Sequence, residues 1–153
     1  MSTTVRQAIP SDAATLARLV EQYWAFEAIE NYDPRRVETL LRDVLTTPGR
    51  ASCWIAEEHG DPTGYVLAVF VLSLEHGGMM AEIDEFFVVP EARGNGTGSA
   101  LLRHAERELQ QLGVVRLQLQ LALENKRGRA FYVAHGYMPR SEYELWDKPL
   151  TLG

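Results

Sequence analysis

The chain has 153 residues, 46% hydrophobic and 24% charged, a composition that suits a single soluble domain over 1–153 with a real core. Its formal net charge of −6, with no basic cluster, argues against a nucleic-acid partner and suits a small cationic one, and no apolar run approaches membrane-spanning length. Cys53 is the only cysteine, which excludes an intrachain disulfide, and the opening MSTTVRQAIPSD has no apolar signal core, so a reducing, cytoplasmic setting is expected.

Thr4 to Ala8 is predicted as a short edge strand that stops at Pro10. Ser11 as N-cap and Asp12 beside the positive helix end predict a helix to about Ala28, with Leu16, Leu19, Val20 and Tyr23 as its apolar stripe. Tyr23, Trp24, Phe26 and Glu27 make the end of that helix unusually aromatic. Core packing accounts for most such rings, and the functional alternative is a substrate-pocket wall. Asp33-Pro34 reads as a second N-cap followed by proline at the first helical position. Val37, Leu40, Leu41, Val44 and Leu45 then keep a helical period up to the turn at Pro48-Gly49.

Ser52 to Glu58 and Gly64 to Leu74 read as strands joined by a hairpin-like turn at His59-Gly60-Asp61-Pro62. The second run is almost wholly apolar, as a central strand covered on both faces should be. His76-Gly77-Gly78 makes another turn. Ile83 to Val89 is a third buried strand, followed by Pro90 and the glycine-rich run Arg93, Gly94, Asn95, Gly96, Thr97, Gly98, Ser99. A helix begins there, with Leu101, Leu102, Ala105, Leu109 and Leu112 on one face and Gly113 as its terminator.

A strand, a glycine loop and a helix N-terminus together form a cradle for a pyrophosphate, because glycine permits close approach and positive φ while the first helical N–H groups point outward. Spacing excludes two familiar versions. G-x-G-x-x-G fails, since Ser99 or Leu101 stands where the third glycine belongs, and a P-loop fails because no lysine lies between Ile83 and Leu121. Arg93-Gly94-Asn95-Gly96-Thr97-Gly98, entered through Val89-Pro90-Glu91-Ala92, resembles the R/Q-x-x-G-x-G/A signature of the GNAT superfamily of N-acetyltransferases.

Val115 to Leu121 alternates apolar and polar residues, predicting a half-exposed strand. Asn125 is placed to cap a short helix through Ala130, Phe131 and Ala134 to Gly136, and Glu142 to Trp146 reads as a last strand. The expected fold is an α/β mixed sheet flanked by helices, in the order β-α-α-β-β-β-α-β-α-β. That order resembles the GNAT fold over the whole chain. Asn125, Ala130-Phe131-Tyr132 and Gly136-Tyr137 are similar to a second landmark of the same family.

The resemblance implies acetyl-CoA as co-substrate and direct transfer to an amine, without a covalent enzyme intermediate. The backbone from Arg93 to Ser99 would hold the pyrophosphate, and the pantetheine arm would run along Phe87, Val88 and Val89. A backbone N–H near Phe87 or Val88 would polarise the thioester carbonyl. Asn125 matches a cofactor-contacting position, and capping its own helix is the alternative role. Tyr132 matches the tyrosine that protonates the departing thiolate, with core packing as the alternative.

An alkylamine arrives protonated, with a pKa near 10.4, and needs a carboxylate to bind and deprotonate it. Asp84 and Glu85 lie where charge is costly to bury, and strand alternation aims only one of them at the acetyl group. IDEFFV resembles the LEDFFV-type strand of spermidine/spermine N-acetyltransferases, which favours Asp84 slightly as base. Glu82 is a third candidate. Tyr23, Trp24, Phe26, Glu27 and Asp33 are the candidate acceptor-side residues, Asp33 doubling as a cap.

Four dispersed histidines show no metal-ligand spacing, so no metal is expected. Two alternatives stay open, a protein N-terminal or lysine acetylase and a non-catalytic acyl-CoA-binding module. The sequence specifies neither the acceptor nor whether the chain forms a homodimer.

Overall fold

Runs of β-branched and aromatic residues, separated by short turns, pair in chain order into one five-stranded sheet, β1-β2-β3-β4-β5. The computed structural model describes residues 2–151. Its elements are β1 (Thr4–Gln7), α1 (Ala13–Phe26), α2 (Pro34–Thr46), β2 (Ala51–Glu58), β3 (Asp61–Ser73), β4 (Gly78–Val88), α3 (Thr97–Gln111), β5 (Arg116–Leu119) and α4 (Lys126–Ala134). β1 to β4 are antiparallel neighbours, whereas β5 returns parallel to β4 after the α3 crossover. This is the expected mixed α/β sheet flanked by helices. The chain divides into two compact units, Met1–Gln120 with the sheet and α1 to α3, and Leu121–Gly153 with α4.

Turn chemistry sets the β2–β3 register. His59 and Gly60 both take positive φ, 54° and 84°, as a two-residue hairpin matched to strand twist requires. Glu58 then pairs with Asp61. The pleat divides the sheet into two faces. Cys53, Ile55, Tyr65 and Phe87 pack with Ala13, Leu16, Leu19, Val20 and Leu41 from the first two helices. Trp54, of opposite pleat to Cys53 and Ile55, donates its indole N–H to Glu108 of α3 at 2.6 Å. Gly64 is needed where α3 comes close, because a Cβ there would meet the Phe87 carbonyl at 2.7 Å and Leu101 at 3.1 Å.

One irregularity matters for everything downstream. Leu67 pairs with Glu85 and Ala68 with Ile83, so Asp84 is an extra residue in β4, a β-bulge. Cross-strand partners share a face. Glu85 therefore joins Tyr65 and Phe87 on the α1 side, while Ile83 joins Ala68 on the other. The β4–β5 ladder covers only Met80 to Ile83, so among the described residues β4 runs on past the bulge without β5.

Several boundaries differ from expectation. The first helix starts at Ala13, not after Ser11, because Pro10 to Asp12 form a 3₁₀ turn closed when Asp12 accepts from the Ile9 N–H at 2.8 Å. It ends at Phe26, and Ala28 has left-handed backbone, φ 54°. Leu40, counted on the α2 stripe, is exposed, and so are Val71 and Leu72 at the far end of β3, where two-faced cover was expected. β5 is shorter than Val115 to Leu121. Glu142 to Trp146 forms no strand, so the order ends at α4. Alternation there defines a face, but a strand exists only where a ladder partner takes its backbone bonds.

Asp12 ties the start of the chain together. Arg6 grips both its oxygens, at 2.8 and 2.9 Å, while donating to Glu57 at 2.6 Å. The Arg6 guanidinium, ahead of the opposing effect of burial, holds the Asp12 carboxyl below the usual range. A depressed carboxylate pKa adds stability above its unfolded value that is lost as pH falls through the native value. Asp12→Ala is expected to lower unfolding free energy in urea by about 2 kcal/mol at neutral pH. The gap to wild type should narrow on acidification, and a pH-independent gap would show that the charge is not the cause.

Candidate active site

The glycine loop is built by backbone conformations that side chains disfavour. Val89 donates to the Thr63 carbonyl at 2.9 Å, and a 3₁₀ turn over Pro90–Ala92 reverses the chain. Gly94 and Gly96 both have φ 82°, and Gly96 is the N-cap of α3. A Cβ on either would meet nothing within 4 Å, so the loop offers open backbone to whatever it faces. Gly98 lies in the first turn of α3 and has no positive φ. The first intrahelical bond runs from Ala100 to Gly96, leaving the N–H groups of Thr97, Gly98 and Ser99 without partners in the helix. Uncrowded glycine backbone leading into the unbonded N–H groups of a fifteen-residue helix suits a pyrophosphate.

Not every loop residue is available. The Thr97 side chain is buried, donates to Glu58 at 2.9 Å and so anchors the loop to β2. The Arg93 N–H closes the turn on Pro90 at 3.2 Å. Its side chain donates from Nε to the Val88 carbonyl at 2.8 Å and lays the guanidinium over two rings, 4.3 Å from the Phe26 centroid and 5.5 Å from that of Phe87. Arg93 thus links the loop to the end of α1.

That end of α1 forms an aromatic wall with β3 and β4. Tyr23, Phe26 and Tyr65 all pack on Phe87, at centroid distances of 5.5, 6.4 and 6.4 Å. After α1 the chain turns back, and Tyr32 donates to the Ala17 carbonyl at 2.6 Å while meeting Trp24 edge-on at 5.6 Å. In this apolar setting stands Glu85. Trp24 Nε1 donates to Oε2 and the Tyr65 hydroxyl to Oε1, each at 2.8 Å. Burial pushes the Glu85 carboxyl upward, the two donors pull it back, and Asp84 adds to the rise.

Asp84, the bulged residue, is exposed. Its carboxyl is nonetheless raised, first by the desolvation that remains and then by Glu82. Glu82 accepts from Gln118 at 3.2 Å. The phenol of Tyr23 is pushed up by burial and then by Glu27, Glu85 and Asp84, so three of the expected carboxylates act on one ring. Asp33 is used differently. Its Oδ1 accepts from the Arg35 and Arg36 N–H groups at 3.0 and 3.3 Å, as an N-cap.

In the second unit Asn125 likewise caps α4, accepting from Gly128 at 2.9 Å. A Cβ on Gly128 would lie 2.7 Å from the Asn125 amide, so a larger residue there would displace the capping side chain. Tyr132 packs edge-on against Phe131 at 5.3 Å and Tyr137 at 5.5 Å.

Within the first unit, then, Tyr23, Trp24, Phe26, Glu85, Phe87 and Arg93 come together. Two participants were not foreseen, Tyr65 and Tyr32. A signal existed for Tyr65: a tyrosine inside an aliphatic strand run needs a partner for its hydroxyl. Tyr32 had none beyond its place before the Asp33 cap.

A sequence model of the acetyltransferase (GNAT) family matches residues 16–137. The uncharacterized N-acetyltransferase YhfO of Bacillus subtilis is 33% identical over 133 residues, covering 87% of this chain and 88% of its own. The thialysine N-epsilon-acetyltransferase of Bos taurus is 27% identical and covers 93% of this chain and 88% of its own. A solved structure of a predicted acetyltransferase with acetyl-CoA, from Clostridium acetobutylicum, superposes with a TM-score of 0.80 at 20% identity, covering 95% of this chain and 96% of that one.

Proposed function

Because the chain belongs to the acetyltransferase (GNAT) family and is an N-acetyltransferase with acetyl-CoA as co-substrate, we propose that its acceptor is a small cationic primary amine. The observation that carries this reading is the half-buried Glu85 carboxylate, hydrogen-bonded by Trp24 and Tyr65 on the strand that leads into the glycine loop. Carboxylates and ring faces both favour an ammonium, each ring by roughly 0.5–2 kcal/mol. The thialysine enzyme of Bos taurus, named for an amine acceptor, lends further support.

When bound, acetyl-CoA supplies an acetyl thioester that the amine attacks directly. The backbone of Gly94 to Ser99 would hold the pyrophosphate, and the end of β4 with the Val89 that follows it would align the pantetheine arm along Phe87 to Val89. A β4 backbone N–H near Phe87 or Val88 steadies the carbonyl oxygen as charge develops there. Glu85 binds the ammonium, with Tyr23, Trp24, Phe26 and Glu27 as the surrounding wall. Asp84 takes the proton, at a carboxyl whose raised pKa makes it a better base than an ordinary aspartate. Asp33 serves the pocket through the α2 start that it caps.

We read both units as one catalytic domain, because the family match spans residues 16–137. On that reading Tyr132 is the acid that protonates the thiolate, and Asn125 contacts the cofactor from the cap of α4. Both assignments rest on the resemblance of Asn125, Ala130-Phe131-Tyr132 and Gly136-Tyr137 to the family landmark.

Thiol release from acetyl-CoA, with mass spectrometry of products, is the direct test. Thialysine and 1,4-diaminobutane should be acetylated at rates that rise with pH toward the amine pKa. A peptide with a free N-terminus, or a neutral amine, proving the better acceptor would overturn the cationic-amine reading. Tyr132→Phe should lower kcat by about 10²-fold with little change in acetyl-CoA KM. An effect within about two-fold would reduce Tyr132 to packing.

A further inference from the structure

We propose that Trp24 and Tyr65 are positioning residues that clamp Glu85, one on each oxygen, and so aim it as the acceptor's ammonium anchor. The proposal rests on the cationic-amine reading above and deepens it, since neither residue needs to touch the reacting atoms.

The geometry is specific. Trp24 Nε1 reaches Oε2 from α1 and the Tyr65 hydroxyl reaches Oε1 from β3, both at 2.8 Å. An indole N–H can only donate. Burial, then the charge of Glu85, push the Tyr65 phenol well above its ordinary range, so it too stays a donor. Two obligate donors suit an ionised carboxylate, which accepts at every lone pair. Each oxygen keeps a further lone pair, and an ammonium N–H is the complementary group. The clamp also fixes the rotamer, since α1 and β3 must both keep their places for the two bonds to persist.

The groups facing Glu85 come from four elements and the loop after α1. Tyr23 and Trp24 lie on α1, Tyr32 follows α1, Cys53 is on β2, Tyr65 on β3, and Asp84 precedes it in β4. Of these only Asp84 carries charge at neutral pH. Burial and Asp84 work against ionisation of Glu85, and the two donated hydrogen bonds are what oppose them. Removing one donor should therefore raise the Glu85 pKa, and the acid limb of activity on a cationic amine should move to higher pH.

The test has a structural arm and a kinetic arm. In the first, the Trp24 indole N–H resonance, assigned by its loss in Trp24→Phe, is followed against pH. It should titrate with Glu85, lose that titration in Glu85→Gln, and shift its midpoint upward in Tyr65→Phe. In the second, Trp24→Phe and Tyr65→Phe should each lower kcat/KM for thialysine by roughly 10-fold, the scale of one charge-assisted hydrogen bond. The loss should be carried by KM for the amine, with acetyl-CoA KM little moved and the acid limb displaced upward.

An indole resonance that does not titrate, a midpoint unmoved in Tyr65→Phe, or an amine KM unchanged in both variants overturns the clamp. A wild-type enzyme that leaves thialysine unacetylated overturns the acceptor reading instead, and the indole titration still decides whether the clamp exists.

Discussion

A carboxylate partly withdrawn from water must be hydrogen-bonded or it will not stay charged, and the end of α1, β3 and β4 are arranged around that constraint at Glu85. The α1 end supplies Trp24 and the central strand supplies Tyr65, and Tyr32 packs on Trp24 while Tyr23 packs on Phe87. The two hydrogen bonds join residues 61 and 20 positions apart. They exist because the sheet brings β3 against β4 while the first two helices cover the same face. The core and the proposed acceptor site are therefore continuous, with Phe87 belonging to both.

The bulge at Asp84 is the device that makes this geometry available. Were Asp84 paired regularly, with no bulge, Ile83 and Glu85 would share a face, and either an isoleucine would stand beside the aromatic wall or the carboxylate would face α3. With it, β4 keeps an apolar residue toward the α3 face and turns a charge toward α1. The same strand then leads through Pro90 into Gly94 and Gly96, whose left-handed backbones deliver the exposed N-terminus of α3. On the proposed reading, acyl donor and amine acceptor are served by consecutive stretches of one strand and its loop. Arg93 connects the two, bound to the Val88 carbonyl and stacked on Phe26.

The element order was legible because hydrophobic period and turn residues are local signals, and His59-Gly60, Asp33-Pro34 and Gly113 each ended or began an element where such residues should. The glycine loop was legible for the same reason. The bulge was not, since IDEFFV alternates no differently with or without it, and register is a property of the pair Leu67–Glu85 and not of either strand alone. The slight preference for Asp84 as base came from resemblance to a strand motif, and nothing in that motif showed that Glu85 is the carboxylate that meets Trp24 and Tyr65. Glu142 to Trp146 misled because its alternation is that of a strand and a single sequence cannot name the partner. Asp33 and Asn125 show the converse case, residues whose capping role was readable from the first.

The account stands on Glu85 as the group that receives the amine, and kcat/KM for thialysine in Glu85→Gln measures this most directly. The substitution keeps shape while removing the charge and replacing one accepting oxygen with an amide that can only donate. A fall of about 10²-fold or more, with acetyl-CoA affinity by calorimetry unchanged, is the predicted result. Activity within about two-fold of wild type would contradict the claim that this carboxylate anchors the acceptor.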